Sequence, residues 1–102
     1  AKNPSTPPEV LAVLAKDEDE SIRLDTAENP STPPEALAVL ARDKAYRVRL
    51  SAVRNPNTPP EVLAILAKDE DSHIRRVAAG NPNTPKEAAL NETYKRWSKM
   101  IL

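Results

Sequence analysis

The most constraining feature of this chain is a short segment that returns every 26 residues. Asn-Pro-Ser-Thr-Pro-Pro-Glu begins at Asn3 and Asn29, and close variants begin at Asn55 and Asn81. A fixed period of this length is typical of stacked repeat arrays, in which each unit buries its apolar face against its neighbours. We therefore expect a single domain over the whole chain. Its expected parts are repeats at 3–28, 29–54 and 55–80, then a C-terminal partial repeat and capping helix at 81–102.

The repeated segment predicts the start of a helix in each unit. In the first unit Thr6 precedes two prolines and Glu9, which is the arrangement of a capping box with a proline in the first helical turn. We expect the threonine oxygen to accept from the backbone N–H of Glu9, and the glutamate to bond back to the threonine N–H. The corresponding threonines are Thr32, Thr58 and Thr84.

The residues after each cap predict an amphipathic helix that is apolar over much of its circumference. Leu11, Leu14 and Ala15 fall at helical spacing, and Val10 and Val13 widen the apolar face. A helix of this kind has to be covered on more than one side. Stacking between the preceding and following units meets that requirement.

A second, shorter segment completes each unit. Ile22, Val48 and Ile74 are its expected inward anchors, and an Asn-Pro pair ends it because the residue before proline is disfavoured in helical geometry. We expect a short α-helix or 3-10 helix of at most about eight residues. The asparagine amides are expected to satisfy backbone groups freed at this break, or to bond to one another along the stack. The predicted fold is therefore all-α without strands, with one longer and one shorter helix per unit.

Composition excludes several kinds of chemistry. Cysteine is absent, and the single glycine, Gly80, rules out a glycine-rich phosphate loop. The single histidine, His73, has no partner for a metal site and is interpreted as a solvent-facing turn residue. We therefore expect no enzyme activity, no metal and no cofactor. No long apolar run or signal peptide is present, so we expect a soluble, cytoplasmic protein without a membrane association.

The most suggestive polar feature is an arginine that recurs once per unit, at Arg23, Arg49 and Arg75. Equivalent positions line up in a repeat array, so these guanidiniums are expected to form a ladder along one edge. One interpretation is structural, with each arginine paired to an aspartate of its own unit or the next. The alternative is a binding edge for acidic peptide or phosphate. The residues expected to reinforce that edge are Arg47, Arg54 and Arg76.

The run Asn-Pro-x-Thr-Pro-x-Glu-x-Leu-x-x-Leu-Ala-x-Asp, with the Ile/Val-Arg segment after it, resembles the leucine-rich repeat variant family and, more loosely, HEAT-like α-solenoids. The resemblance covers residues 3–80 and the start of a fourth unit. It implies a right-handed superhelix of alternating helices. It also implies, for one member of the family, an iron-sulfur cluster on a separate cysteine-rich segment. No position of this chain matches that segment, so the cofactor does not carry over.

The two ends of the array depart from the repeat. Leu90, Tyr94, Trp97 and Ile101 describe an amphipathic terminal helix, in which Trp97 either covers the last apolar face or contacts a partner. The first unit has no capping helix before it. This predicts either a longer parent array or self-association through the open N-terminal end.

The sequence thus favours a non-enzymatic scaffold that binds a protein or peptide of unknown identity. The alternative is binding of nucleic acid along the arginine ladder, as in some HEAT-like solenoids. Balanced charge, with 15 basic and 15 acidic residues, weakens that alternative.

Overall fold

The computed structural model describes residues 5–85, and in this range the chain forms helices and no strands. Helices alternate in two sets, one of which begins at the proline pairs and the other at the polar turns. In chain order they are α1 Pro8–Leu14, α2 Glu20–Glu28, α3 Pro34–Leu40, α4 Tyr46–Arg54, α5 Pro60–Leu66 and α6 Ser72–Gly80. The prediction of an all-α chain built from helix pairs is confirmed. The right-handed sense of the superhelix and the single-domain boundaries stay predictions.

The relative lengths of the two helices were predicted wrongly. The first helix of each unit has 7 residues and the second has 9, and both are α-helices. The first helix stops early because two bonds of 3-10 type tighten its end, from Lys16 N–H to the Val13 carbonyl and from Asp17 N–H to the Leu14 carbonyl. The second helix runs uninterrupted to the asparagine before proline, which ends it as predicted.

The predicted capping box does not form in the units where the helix start is described. Helix α3 begins at Pro34, its N-cap is Pro33, and no side chain caps it. Each ring of the proline pair holds the residue before it in an extended conformation, so Thr32 lies one position too early to cap. The Thr32 hydroxyl instead donates to the carbonyl of Thr26 in the last turn of α2. The threonine therefore closes the helix behind it.

The second helices begin at aspartates in two of the three units. The Asp19 carboxylate accepts from Ser21 N–H at 2.8 Å, and Asp71 accepts from His73 N–H at 2.8 Å. These are side-chain N-caps, which satisfy donors that a helix leaves free in its first turn. In the middle unit the same position is Ala45, which offers no cap.

The core is a row of aliphatic side chains shared between successive units. Leu11, Leu37 and Leu63 are each fully buried, as the sequence predicts. These leucines lie on the first helices, which pack against a neighbouring unit as well as their own: α1 lies against α3, α3 against α2, and α5 against α4. Burial of a given repeat position depends on the presence of a preceding unit. Val62 is 4% exposed, whereas the equivalent Val10, with no described unit before it, is 44% exposed.

The sequence predictions for the C-terminal end fall outside the described residues. They are the fourth-unit capping helix and the role of Trp97.

Candidate functional site

Arg23 forms an ion pair that crosses from one unit to the next. Its Nε donates to Asp43 Oδ2 at 2.7 Å, and its Nη1 donates to the backbone carbonyl of Asp17 at 2.8 Å. The two charged side chains are about one-tenth exposed. The hydrogen bond to Asp43 raises the pKa of Arg23 above its ordinary value, so the guanidinium keeps its charge at every pH at which the protein is studied.

Arg49 repeats this arrangement at the next contact between two successive units, which we call a joint. Its Nε donates to Asp69 Oδ2 at 2.9 Å, and its Nη1 donates to the carbonyls of Asp43 and Lys44 at 2.8 and 3.2 Å. Asp43 therefore does three things: its carboxylate receives Arg23, its carbonyl receives Arg49, and its Oδ1 accepts from Ala45 N–H. The pairs fix the turn between helices to the turn of the adjacent unit.

Arg75 has the same backbone contacts without the carboxylate. Its Nη1 donates to the carbonyls of Asp69 and Glu70 at 2.7 and 3.0 Å, and the residue is exposed. Within residues 5–85 no acidic side chain pairs with it. The residue one period after Asp69 is Lys95, which has the wrong charge for this pair.

A second polar contact crosses the joint on the asparagine side. The buried Asn55 amide donates to the backbone carbonyls of Ala27 and Asn29, each at 2.8 Å. Its Oδ1 accepts from Asn57 N–H at 2.8 Å, which closes a turn. The amide thus satisfies backbone groups at a helix end, as predicted. The asparagines of successive units are also bonded, but the Asn55 amide donates to the backbone carbonyl of Asn29 and not to its side chain.

The surface between successive turns forms a cleft that occurs twice with equivalent residues. Both clefts have an Arg–Asp pair and an aliphatic side chain from the first helix of the later unit. One is lined by Ala15, Lys16, Asp17, Glu18, Arg23, Val39, Arg42, Asp43 and Lys44. The other is lined by Ala41, Arg42, Asp43, Lys44, Arg49, Ile65, Lys68, Asp69 and Glu70. Each residue of the second set lies one period after its counterpart.

Comparison with protein families decides what kind of repeat this is. The family model of the leucine rich repeat variant matches residues 46–71, from the first residue of α4 to the N-cap of α6. The matched segment spans one period of the array, so it is similar to a leucine rich repeat variant unit. This match supports the family resemblance that the sequence indicates. Searches of curated proteins and of solved structures gave no significant match.

The first helices carry an exposed surface that the sequence reasoning missed. Val13, Val39 and Ile65 occupy the same position in successive units and are 70%, 41% and 37% exposed. The expectation that Val13 joins a face covered by neighbouring units is wrong, because the covered face of this helix contains Leu11, which is fully buried, and leaves Val13 in solvent. The sequence did contain a signal of this exposure. Each of the three aliphatic residues is followed three positions later by a lysine or arginine, and residues three apart lie on the same side of a helical turn.

Those cations are Lys16, Arg42 and Lys68, and all three are exposed. No ion pair or side-chain hydrogen bond engages any of them in the described part of the chain. We call the six residues the first-helix stripe. It consists of Val13, Val39, Ile65, Lys16, Arg42 and Lys68.

The other arginines predicted to bind a partner lie on the second helices. Arg47, Arg54 and Arg76 are exposed on α4 and α6. They do not surround Arg23 and Arg49, whose guanidiniums face carboxylates and carbonyls. The structure thus brings two of the six predicted residues into structural pairs and leaves four exposed, and a binding role for the set stays a prediction.

The chemistry sought elsewhere has no site in residues 5–85. His73 is exposed, and no group of histidine, aspartate and glutamate side chains in this range is placed to hold a metal ion. None of the six described helices is long and apolar enough to span a membrane.

Proposed function

We propose that this protein is a non-enzymatic scaffold that binds a protein or peptide on the first-helix stripe. The observation that carries the proposal is the row formed by Val13, Val39 and Ile65. These aliphatic side chains stay exposed, whereas Leu40 and Leu66, which follow Val39 and Ile65 in the chain, are completely buried. A continuous exposed aliphatic row bordered by charge is typical of interaction surfaces.

The stacked units support the proposal because they hold this row on a fixed frame. Buried inter-unit contacts, the Arg–Asp pairs and the Asn55 amide, set the position of each turn relative to the next. Side chains at equivalent positions are therefore presented in register, which lowers the entropic cost of binding an extended partner.

The stripe takes precedence in this proposal over the arginine ladder. Arg23 and Arg49 already donate to Asp43 and Asp69, so their guanidiniums are not available to an acidic partner or to phosphate without breaking the joint. The exposed arginines of the second helices remain the competing surface.

The test is affinity capture with cross-linking, followed by binding measurements with each purified candidate partner. The stripe variant carries Val13→Ser, Val39→Ser and Ile65→Ser, and its matched control carries Arg47→Ala, Arg54→Ala and Arg76→Ala. We expect the stripe variant to lose the partner while circular dichroism shows that it keeps the helical fold, with a melting temperature lowered only as far as the partial burial of Val39 and Ile65 requires. Equal binding by the wild-type chain and the stripe variant overturns the proposal, and selective loss in the control moves the site to the second helices.

A further inference from the structure

We infer that the ligand of the first-helix stripe is an acidic, extended peptide whose carboxylates recur at every third residue. This inference rests on the proposed function and adds the chemistry of the partner. It is drawn from the charges of the stripe, from the state of the carboxylates around it and from the spacing of the units.

The charge of the stripe selects an acidic partner. Lys16, Arg42 and Lys68 form a row of three cations, one per unit, with no ion pair in residues 5–85. A row of like charges on a surface repels itself, and carboxylates from a partner relieve that repulsion.

The carboxylates already present in the clefts do not neutralise this row. Asp43 and Asp69 are held by Arg23 and Arg49, whereas Asp17, which accepts from Asp19 N–H, keeps its negative charge. Among the acidic cleft residues, Glu18 and Glu70 remain at the rims, and Glu70 lies 3.7 Å from the guanidinium of Arg49. The two clefts share Arg42, Asp43 and Lys44, and together they are lined by six basic and five acidic residues, which leaves one net positive charge.

The spacing of the units selects an extended peptide. Equivalent second helices of successive units pack directly, α2 against α4 and α4 against α6. Because packed helices lie about 8–10 Å apart, we expect equivalent cations to recur at about that distance. A polyproline II segment has three residues per turn and rises about 3.1 Å per residue, which repeats a side chain on one face about every 9 Å. The long stems of lysine and arginine accommodate small differences between the two periods.

The exposed aliphatic residues of the stripe can contact the peptide positions that lie between the carboxylates. In a three-residue period the two positions between carboxylates carry prolines or other apolar residues. Val39 and Ile65 line the two clefts between the cations and offer them an apolar contact. A three-residue period of one carboxylate and two apolar residues therefore matches one unit of the array.

Fluorescence anisotropy with labelled synthetic peptides tests the inference. The test peptide consists of four Glu-Pro-Pro triplets. One control has the same composition with its glutamates alternately two and four residues apart, and another has lysine in place of glutamate. We expect the triplet peptide to bind about tenfold more tightly than either control, because each misplaced carboxylate loses one exposed ion pair.

Matched charge-reversal variants locate the binding. We expect the variant with Lys16→Glu, Arg42→Glu and Lys68→Glu to lose about tenfold or more in affinity. The control with Arg47→Glu, Arg54→Glu and Arg76→Glu has the same net charge change on the second helices and is expected to bind within about twofold of the wild-type chain. Circular dichroism melting shows that both variants are folded.

Each outcome decides a different point. Equal affinity for the two glutamate peptides overturns the three-residue period, and an equal loss in both charge-reversal variants overturns the site. Displacement of the peptide by duplex DNA at lower concentration than by unlabelled peptide overturns the peptide in favour of phosphate. Absence of peptide binding with intact capture of a protein partner through the aliphatic row refutes this inference and leaves the proposed function standing.

Discussion

Replacement of Asn55 by alanine should loosen the joint between two units without touching the leucine core. The wild-type amide donates to the carbonyls of Ala27, in the last turn of the first unit, and of Asn29, the first residue of the second unit, and both residues are buried. The Ala27 carbonyl lies in the last turn of α2, where carbonyls have no partner within the helix. The Asn29 carbonyl also accepts from Thr32 N–H, so it keeps one partner.

The size of the effect follows from these two acceptors. A buried carbonyl that loses its donor costs about 1–3 kcal/mol, and the carbonyl that keeps one partner loses about 1 kcal/mol. The Asn57 N–H is exposed and recovers a bond from water. We therefore expect Asn55→Ala to lower the free energy of unfolding by about 3 kcal/mol. With a urea dependence of about 2 kcal/mol per M, the midpoint of denaturation falls by about 1.5 M.

Two further variants make this experiment specific. Asn57→Ala removes one bond, to the Thr32 carbonyl, from an exposed side chain, and should cost about 0.5 kcal/mol. Asn55→Asp keeps the acceptor for Asn57 N–H but removes both donors, so it should destabilise at neutral pH at least as much as Asn55→Ala. If Asn55→Ala and Asn57→Ala unfold at the same urea concentration, the inter-unit bonds do not have the energy assigned to them.

Three more changes test other parts of the structure. Ala45→Asp should raise stability by about 1 kcal/mol in chemical denaturation, because it supplies the N-cap that α4 lacks; no gain would contradict the capping argument. Arg49→Ala should lower the melting temperature more than Arg75→Ala, since only Arg49 holds a carboxylate of another unit. Leu37→Ala should cost about 3 kcal/mol and Val13→Ala less than about 0.5 kcal/mol, and similar values in calorimetry would refute the assigned burial.

The helical repeat was predictable because its signals are local. Proline pairs restrict the backbone wherever they occur, so the helix starts and the stop at Asn29 follow from the sequence alone. The spacing of Leu11, Leu37 and Leu63 identified the buried face for the same reason.

The hydrogen-bond and ion-pair partners at the joints could not be predicted, because they depend on distances between residues that are far apart in the sequence. Thr32 and Glu35 fit the pattern of a capping box, but the helix starts one residue later than that pattern requires, and the threonine hydroxyl donates to α2 instead. The pairing of Arg23 was open between aspartates of its own unit and the next, and only the stacking geometry selects Asp43. The exposed stripe was missed because valine at a helical position is usually buried.

The contacts across each joint have a consequence for how such a chain changes length. Arg23 meets Asp43, and Arg49 meets Asp69, with the same atoms at nearly the same distance. Deletion of one complete period between Arg23 and Asp69 would place these two residues 20 positions apart, which is the separation within each of the present Arg–Asp ion pairs. Duplication of a period would add another inter-unit contact of the same kind, because the duplicated residues already include the arginine and the aspartate of the ion pair. Recombination in whole periods can therefore lengthen or shorten the array, whereas an insertion of any other size would break both polar bonds at one joint.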